Sequence, residues 1–140
     1  MKNSIKYIIL ICTLISGTSQ LQAQDFNSEK NNYLIISKNI RQLKPVLLTA
    51  TDLAKEDGEK FGEFYMVICG KTVTDIPKNS AFNNFLDQAT AQNVKVFVCG
   101  LSLSKFSIER DQLPANLEVT ENGILYGLQL KKQGLITLSI

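Results

Sequence analysis

The chain has 140 residues, the length of one domain, and contains no histidine. That excludes a Ser-His-Asp triad, a Cys-His dyad and any histidine-ligated metal site. The 15 basic residues include Lys2 and Lys6, and the other 13 balance the 13 acidic ones; with no basic stripe and no aromatic interleaving, nucleic-acid binding is disfavoured.

Taken in chain order, the N-terminus comes first. Lys2 and Lys6 flank a short basic start, positions 7–15 form an apolar run and 16–23 are small and polar. This is the layout of a secretory signal peptide, and the run is too short to span a bilayer. The pattern predicts a cut after Ala23, with one nearer Ser19 as the alternative, and a periplasmic protein. Cys12 falls inside the apolar run behind Ile11 and belongs to the discarded segment. Positions 24–32 read as a flexible leader, and 33–140 as one α/β domain. No apolar stretch after Ala23 is long enough to span a membrane.

Tyr33-Leu34-Ile35-Ile36-Ser37 reads as a short buried strand. Pro45 suits a first helical residue, Val46, Leu47, Ala50, Leu53 and Ala54 follow at helical spacing, and Gly58 closes the helix. Positions 63–69 predict a second strand and 71–79 a loop. Ser80 is expected to cap a helix carrying Phe82, Phe85, Leu86 and Ala89 on one face, ended by Asn93. Positions 94–99 predict a third strand. The signal then weakens: 100–105 read as a loop, Ser107 as the cap of a short turn stopped by Pro114, and 117–119 as a brief strand. Asn122 is placed to cap a helix over 123–133, with Ile124, Leu125 and Leu128 expected inward and Lys131 and Lys132 near its C-terminal end. Gly134 suits its end and 135–140 a final strand. Strands alternating with helices build a mostly parallel five-stranded sheet covered on both faces.

Two of these strands end in Cys-Gly: 65–70 closes on Cys69-Gly70 and 94–100 on Cys99-Gly100. Ligands of open parallel sheets sit beyond the carboxyl ends of the strands, so both thiols are expected at that rim. If the strands are neighbours, a Cys69–Cys99 disulfide is geometrically allowed but not implied. Gly100, Ser102, Ser104 and Lys105 follow Cys99 with backbone N–H groups, two hydroxyls and a cation; Gly70, Lys71 and Thr72 do the same for Cys69. Such surroundings lower a thiol pKa. Free cysteine is also among the most buried residue types, so a small hydrophobe at the strand end is the alternative for both, and the stronger one for Cys69. Two thiols without histidine are too few for a structural zinc, and no metal or cofactor is expected. Three lookalikes fail. Gly70-Lys71-Thr72 lacks the P-loop glycine where Tyr65 stands. Lys105 is a poor substitute for the arginine that a cysteine-phosphatase loop needs. Neither Cys-Gly is a Cys-x-x-Cys pair.

The run 94–100 with Cys99-Gly100, then Ser102-Leu103, Ile108 and Leu113-Pro114, resembles the DsrE/DsrF-like family of small sulfur-handling proteins. Positions 119–123, followed by Leu128-Gln129-Leu130 and Gln133-Gly134, resemble the family's closing strand, helix and strand. The resemblance covers Tyr33 to the C-terminus. It implies a three-layer α/β/α fold, homo-oligomers, and a cysteine at the position of Cys99 that carries sulfur as a persulfide. Many relatives have a glycine close to Ile108, where this chain has Ser107. Many exported relatives have a histidine before the glycine at Gly70, where this chain has Cys69. The expectation is a small exported sulfur carrier, sulfurtransferase or thiol-exchange protein. Cys99 is its nucleophile and Cys69 its resolving partner. Gly100, Ser102 and Ser104 shape the loop, and Lys71 or Lys105 stabilises the thiolate. Its partners would be thiol or persulfide donor and acceptor proteins. The alternative is a non-catalytic periplasmic binding or assembly module whose cysteines are buried or disulfide-bonded.

Overall fold

The structure, a computed structural model, describes residues 26–140. The expected signal peptide and Cys12 lie outside the described residues. Five strands, β1 (Asn31–Ser37), β2 (Phe61–Ile68), β3 (Val94–Cys99), β4 (Glu118–Thr120) and β5 (Ile136–Ser139), form one sheet in the order β4-β3-β2-β1-β5. Every pairing is parallel. Four α-helices connect them: α1 (Leu43–Asp57), α2 (Ser80–Ala91), α3 (Gly100–Lys105) and α4 (Gly123–Lys132). Among the described residues no helix is long and apolar enough to cross a membrane.

Alternation along the strands builds two cores. Tyr33, Ile35, Phe64, Met66, Ile68, Val96 and Val98 face α1 and α2, where they meet Leu43, Val46, Leu47, Phe82 and Leu86. Leu34, Tyr65, Val67, Cys69 and Cys99 point the other way, toward Leu130 of α4 and Leu135. The sheet is therefore covered on both faces, thickly on one and by a single ten-residue helix on the other. Asp57, closing α1, ties that helix to the first strand: its carboxylate accepts from Tyr33 Oη at 2.6 Å and from Asn31 Nδ2 at 3.0 Å. Gly58, at φ 57°, ends α1 in a conformation that glycine takes without strain.

Four expectations are corrected. The cap of α2 is Asn79, not Ser80: the Asn79 side chain accepts from Phe82 N–H at 2.9 Å, which places the last non-helical residue one position earlier. Residues 100–105 are the short helix α3 rather than a loop, because the chain coils directly off β3. The turn expected to be capped by Ser107 is a 3-10 turn, Arg110–Gln112, closed by a reciprocal box between Glu109 and Gln112. Ser107 instead holds φ 55°, the left-handed conformation in which a glycine is free of strain. The largest change concerns α4. Ile124, Leu125 and Leu128 are 64%, 51% and 55% exposed, and the buried stripe is Gly123, Gly127 and Leu130. A Cβ at Gly127 would stand 2.9 Å from Ile36 Cδ1. The helix lies close to the sheet along Gly123 and Gly127, and its branched residues Ile124, Leu125 and Leu128 turn outward.

The cap assignment carries a prediction. Asn79→Ala is expected to cost about 1 kcal/mol in urea unfolding, and Ser80→Ala only a few tenths; equal losses from the two would restore Ser80 as the cap.

Candidate functional site

Chain direction decides where this sheet opens. After β3 the chain turns onto the α1–α2 side, where Leu103 of α3 joins that core. After β4 it turns to the opposite face to form α4. Adjacent strands whose following segments leave to opposite sides create a crevice at their carboxyl ends, the usual ligand position in open parallel sheets. Cys99 ends β3 at that crevice, in register with Thr120 of β4. The lips are stitched by Leu101 N–H, which donates to the Glu121 carbonyl at 3.0 Å. Gly100 permits the approach, since a Cβ there would stand 3.0 Å from Glu121 O and 3.1 Å from Thr120 O.

Cys69 sits one step beyond the Ile68–Val98 pair of the β2–β3 ladder, level with Cys99. Both side chains point to the α4 face, both thiols are free, and they are 7% and 3% exposed. Over them lies Gly123, the first residue of α4. Its N–H donates to Cys99 Sγ at 3.2 Å, and a Cβ on it would stand 2.9 Å from both Cys69 Sγ and Cys99 Cβ. Ser102, in the first turn of α3, is shared: its Oγ accepts from Gly70 N–H at 2.8 Å, and it hydrogen-bonds to Cys99.

These contacts split the two thiols. Burial pushes the Cys99 thiol up, but hydrogen bonds from Gly123 N–H, from the Ser102 hydroxyl and N–H, and from the Cys69 thiol outweigh it and leave Cys99 below its ordinary value. Burial also pushes Cys69 up, the Cys99 charge and hydrogen bond push it further, and Lys38 opposes them only in part, leaving it at about 12. Within the pair the lower pKa therefore falls on Cys99 and the higher on Cys69.

The other expected site residues separate. Gly70 adopts φ 85° and starts a 3-10 turn, Lys71–Asp75. Lys71 is exposed there and, with Lys38 and Arg41, lines a shallow cavity of about 370 Å³ at the ends of β1 and β2. Ser104 is exposed, and Lys105, at the far end of α3, sits 5.8 Å over its neighbour Phe106. The donors on Cys99 are those of Gly123, Ser102 and Cys69. Gly123 was missed because its signal, a glycine just after the helix-capping Asn122, also fits an ordinary helix start.

Sequence reasoning also missed a cluster at the opposite end of the same face. Because α4 is short, Phe26, Tyr65, Phe97 and Tyr126 form an aromatic row there, with successive ring centres 5.8, 6.1 and 5.0 Å apart. Lys95 Nζ lies 2.6 Å from Glu63 Oε2 and 3.3 Å from Tyr65 Oη, beside a cavity of about 780 Å³. Burial pushes the Lys95 ammonium down, and its bonds to Glu63 and Tyr65 more than offset that.

Fold and site define a doubly wound parallel α/β protein with an asymmetric thiol pair at its switch point. No family model matches the chain, and no curated protein matches it by sequence. A solved structure of a protein of unknown function from Methanobacterium thermoautotrophicum, MTH1491, is similar to it, with a TM-score of 0.64 at 15% identity over 79% of this chain and 99% of that one. The likeness supports the α/β architecture with its five-stranded parallel sheet.

The thiol asymmetry fixes a pH dependence. An unfolded thiol titrates near 9. Just below that pH the unfolded chain retains a proton that folded Cys99 has released, so Cys99 makes stability rise toward pH 9. From about 9 to about 12 the unfolded chain loses a proton that folded Cys69 keeps, so stability falls. Urea midpoints in reductant should therefore fall less steeply in Cys69→Ala than in wild type over that upper range, whereas Cys99→Ala should lose the gain below it. Parallel curves for all three proteins would count against the split.

Proposed function

We propose that the chain is a small thiol-chemistry protein of the DsrE/DsrF-like kind, in which Cys99 accepts and passes on sulfur. The observation that carries the reading is the Gly123 N–H held 3.2 Å from Cys99 Sγ at the sheet's switch point. A backbone donor aimed at a sulfur stabilises charge on it, and a thiolate is the reactive form in persulfide and disulfide exchange. Cys99 thiolate attacks the outer sulfur of a donor persulfide, the donor's S–S bond breaks, and the donor leaves as a thiolate while Cys99 keeps the sulfur as a persulfide. An acceptor thiolate then takes that outer sulfur and Cys99 is regenerated. Cys69, raised to about 12, holds its proton and assists by hydrogen-bonding the sulfur left behind rather than by attacking the persulfide as a resolving thiol. Export to the periplasm, a donor or acceptor protein and self-association belong to the same proposal. They are supported respectively by the pattern of residues 1–23, by the exchange chemistry, and by the apolar residues Ile124, Leu125 and Leu128 exposed on α4.

A second reading has its own observation. Cys99 is 3% exposed, which suits a non-catalytic binding or assembly module whose thiols only fill space. Intact mass after incubation with a sulfur donor separates the two. Wild type is expected to gain one sulfur, Cys99→Ser none, and Cys69→Ser should load normally but release more slowly to an added thiol. Loading that persists in Cys99→Ser defeats the first reading.

A further inference from the structure

The Cys99 sulfur is polarised for reaction, yet one residue closes it off. Gly123 packs so tightly that even a methyl carbon on it would come within 2.9 Å of Cys69 Sγ. A second sulfur on Cys99 needs a bond of about 2.05 Å and its own van der Waals shell, and the space above the thiol pair is already filled. The turn that fills it has one side on the thiols and the other in solvent. Its outer residues Ile124 and Leu125 are 64% and 51% exposed, while Gly123 on its inner side is buried on the two sulfurs. Two bonds from the Asn122 side chain, to Ile124 N–H and Leu125 N–H at 3.1 Å each, secure its start. Opening one turn is a local event that leaves the rest of the core folded.

We infer that the first turn of α4, with Asn122, is a gate over Cys99: it lifts to admit a reagent, and it stays lifted while Cys99 carries added sulfur. The inference rests on the thiol reading above and deepens it, because the state of a covered atom becomes visible on the outer face of α4. Lifting removes the Gly123 donor from the sulfur, so the thiolate is held most firmly while the gate is shut and is released to react as it opens.

The probe is methyl methanethiosulfonate on the full chain under native conditions, read by peptide mass. Cys99 thiolate attacks the sulfenyl sulfur, a new S–S bond forms, and methanesulfinate leaves with the electron pair of the broken bond. Asn122→Ala removes the cap of the gate and is expected to speed Cys99 labelling about fivefold. Asn79→Ala removes the equivalent cap of α2 on the other face and should leave the rate unchanged. Once labelled, wild type should show faster amide hydrogen exchange at residues 123–126, with β1 to β3 unaltered. Equal acceleration by the two cap variants, or unchanged exchange at 123–126 in the labelled protein, overturns the gate and leaves the thiol chemistry standing. Cys99 that labels in no variant until denaturant is added overturns both.

Discussion

A backbone N–H pressed against a buried sulfur organises the working end of this protein. The bond from Gly123 to Cys99 requires three things at once: a strand ending at the thiol, a helix starting above it, and no side chain between. The all-parallel sheet supplies the first two, because β3 and β4 send their successors to opposite faces. Glycine supplies the third. Gly100 lets the two lips close and Gly123 lets the helix settle on the sulfurs, so the geometry needs a missing Cβ on each side of the crevice.

Burial raises both thiols, and the hydrogen-bond donors that reach only one of them make the two different. A low-dielectric site admits one charge far more readily than two, and the pair shares the same pocket. Cys99 receives the donors because it directly precedes α3 and lies beneath α4, while Cys69 looks out mainly on Cys99 and on Lys38. Ser102 belongs to both sides, taking the Gly70 N–H and bonding Cys99, so the two Cys-Gly ends are coupled through one hydroxyl.

Much of the architecture was legible in the residues. The runs at 33–37, 63–69 and 94–99 are apolar and β-rich, and Pro45 and Gly58 bracket the first helix, so the β-α-β-α-β order followed from periodicity. The largest failure, the face of α4, has a physical cause. A pattern reading assigns branched apolar residues to the inside, and on α4 the inside is too narrow for them. The spacing of Gly123, Gly127 and Leu130 at i, i+4 and i+7 carried the correct face, but glycine registers as neutral on a hydrophobic scale. The thiol rim was foreseeable from two strand-terminal cysteines. The identity of the donors was not, because Gly123 lies 24 residues from Cys99 and meets it only once the order β4-β3-β2-β1-β5 is known. Lys105 looked promising by proximity in sequence, and a single turn and a half of α3 carries it away.

The two borders of the sheet are guarded unequally. At one, β4 is only three residues long and carries Glu118, features that discourage a neighbouring strand from adding on. At the other, β5 has neither charge nor proline, and Ile136 and Leu138 stand 56% and 59% exposed along one side of it. Among the described residues, β5 is thus the less protected edge. Joining through one flank alone closes on itself after two molecules, so the arrangement steers any such joining toward finite pairs and away from endless fibres.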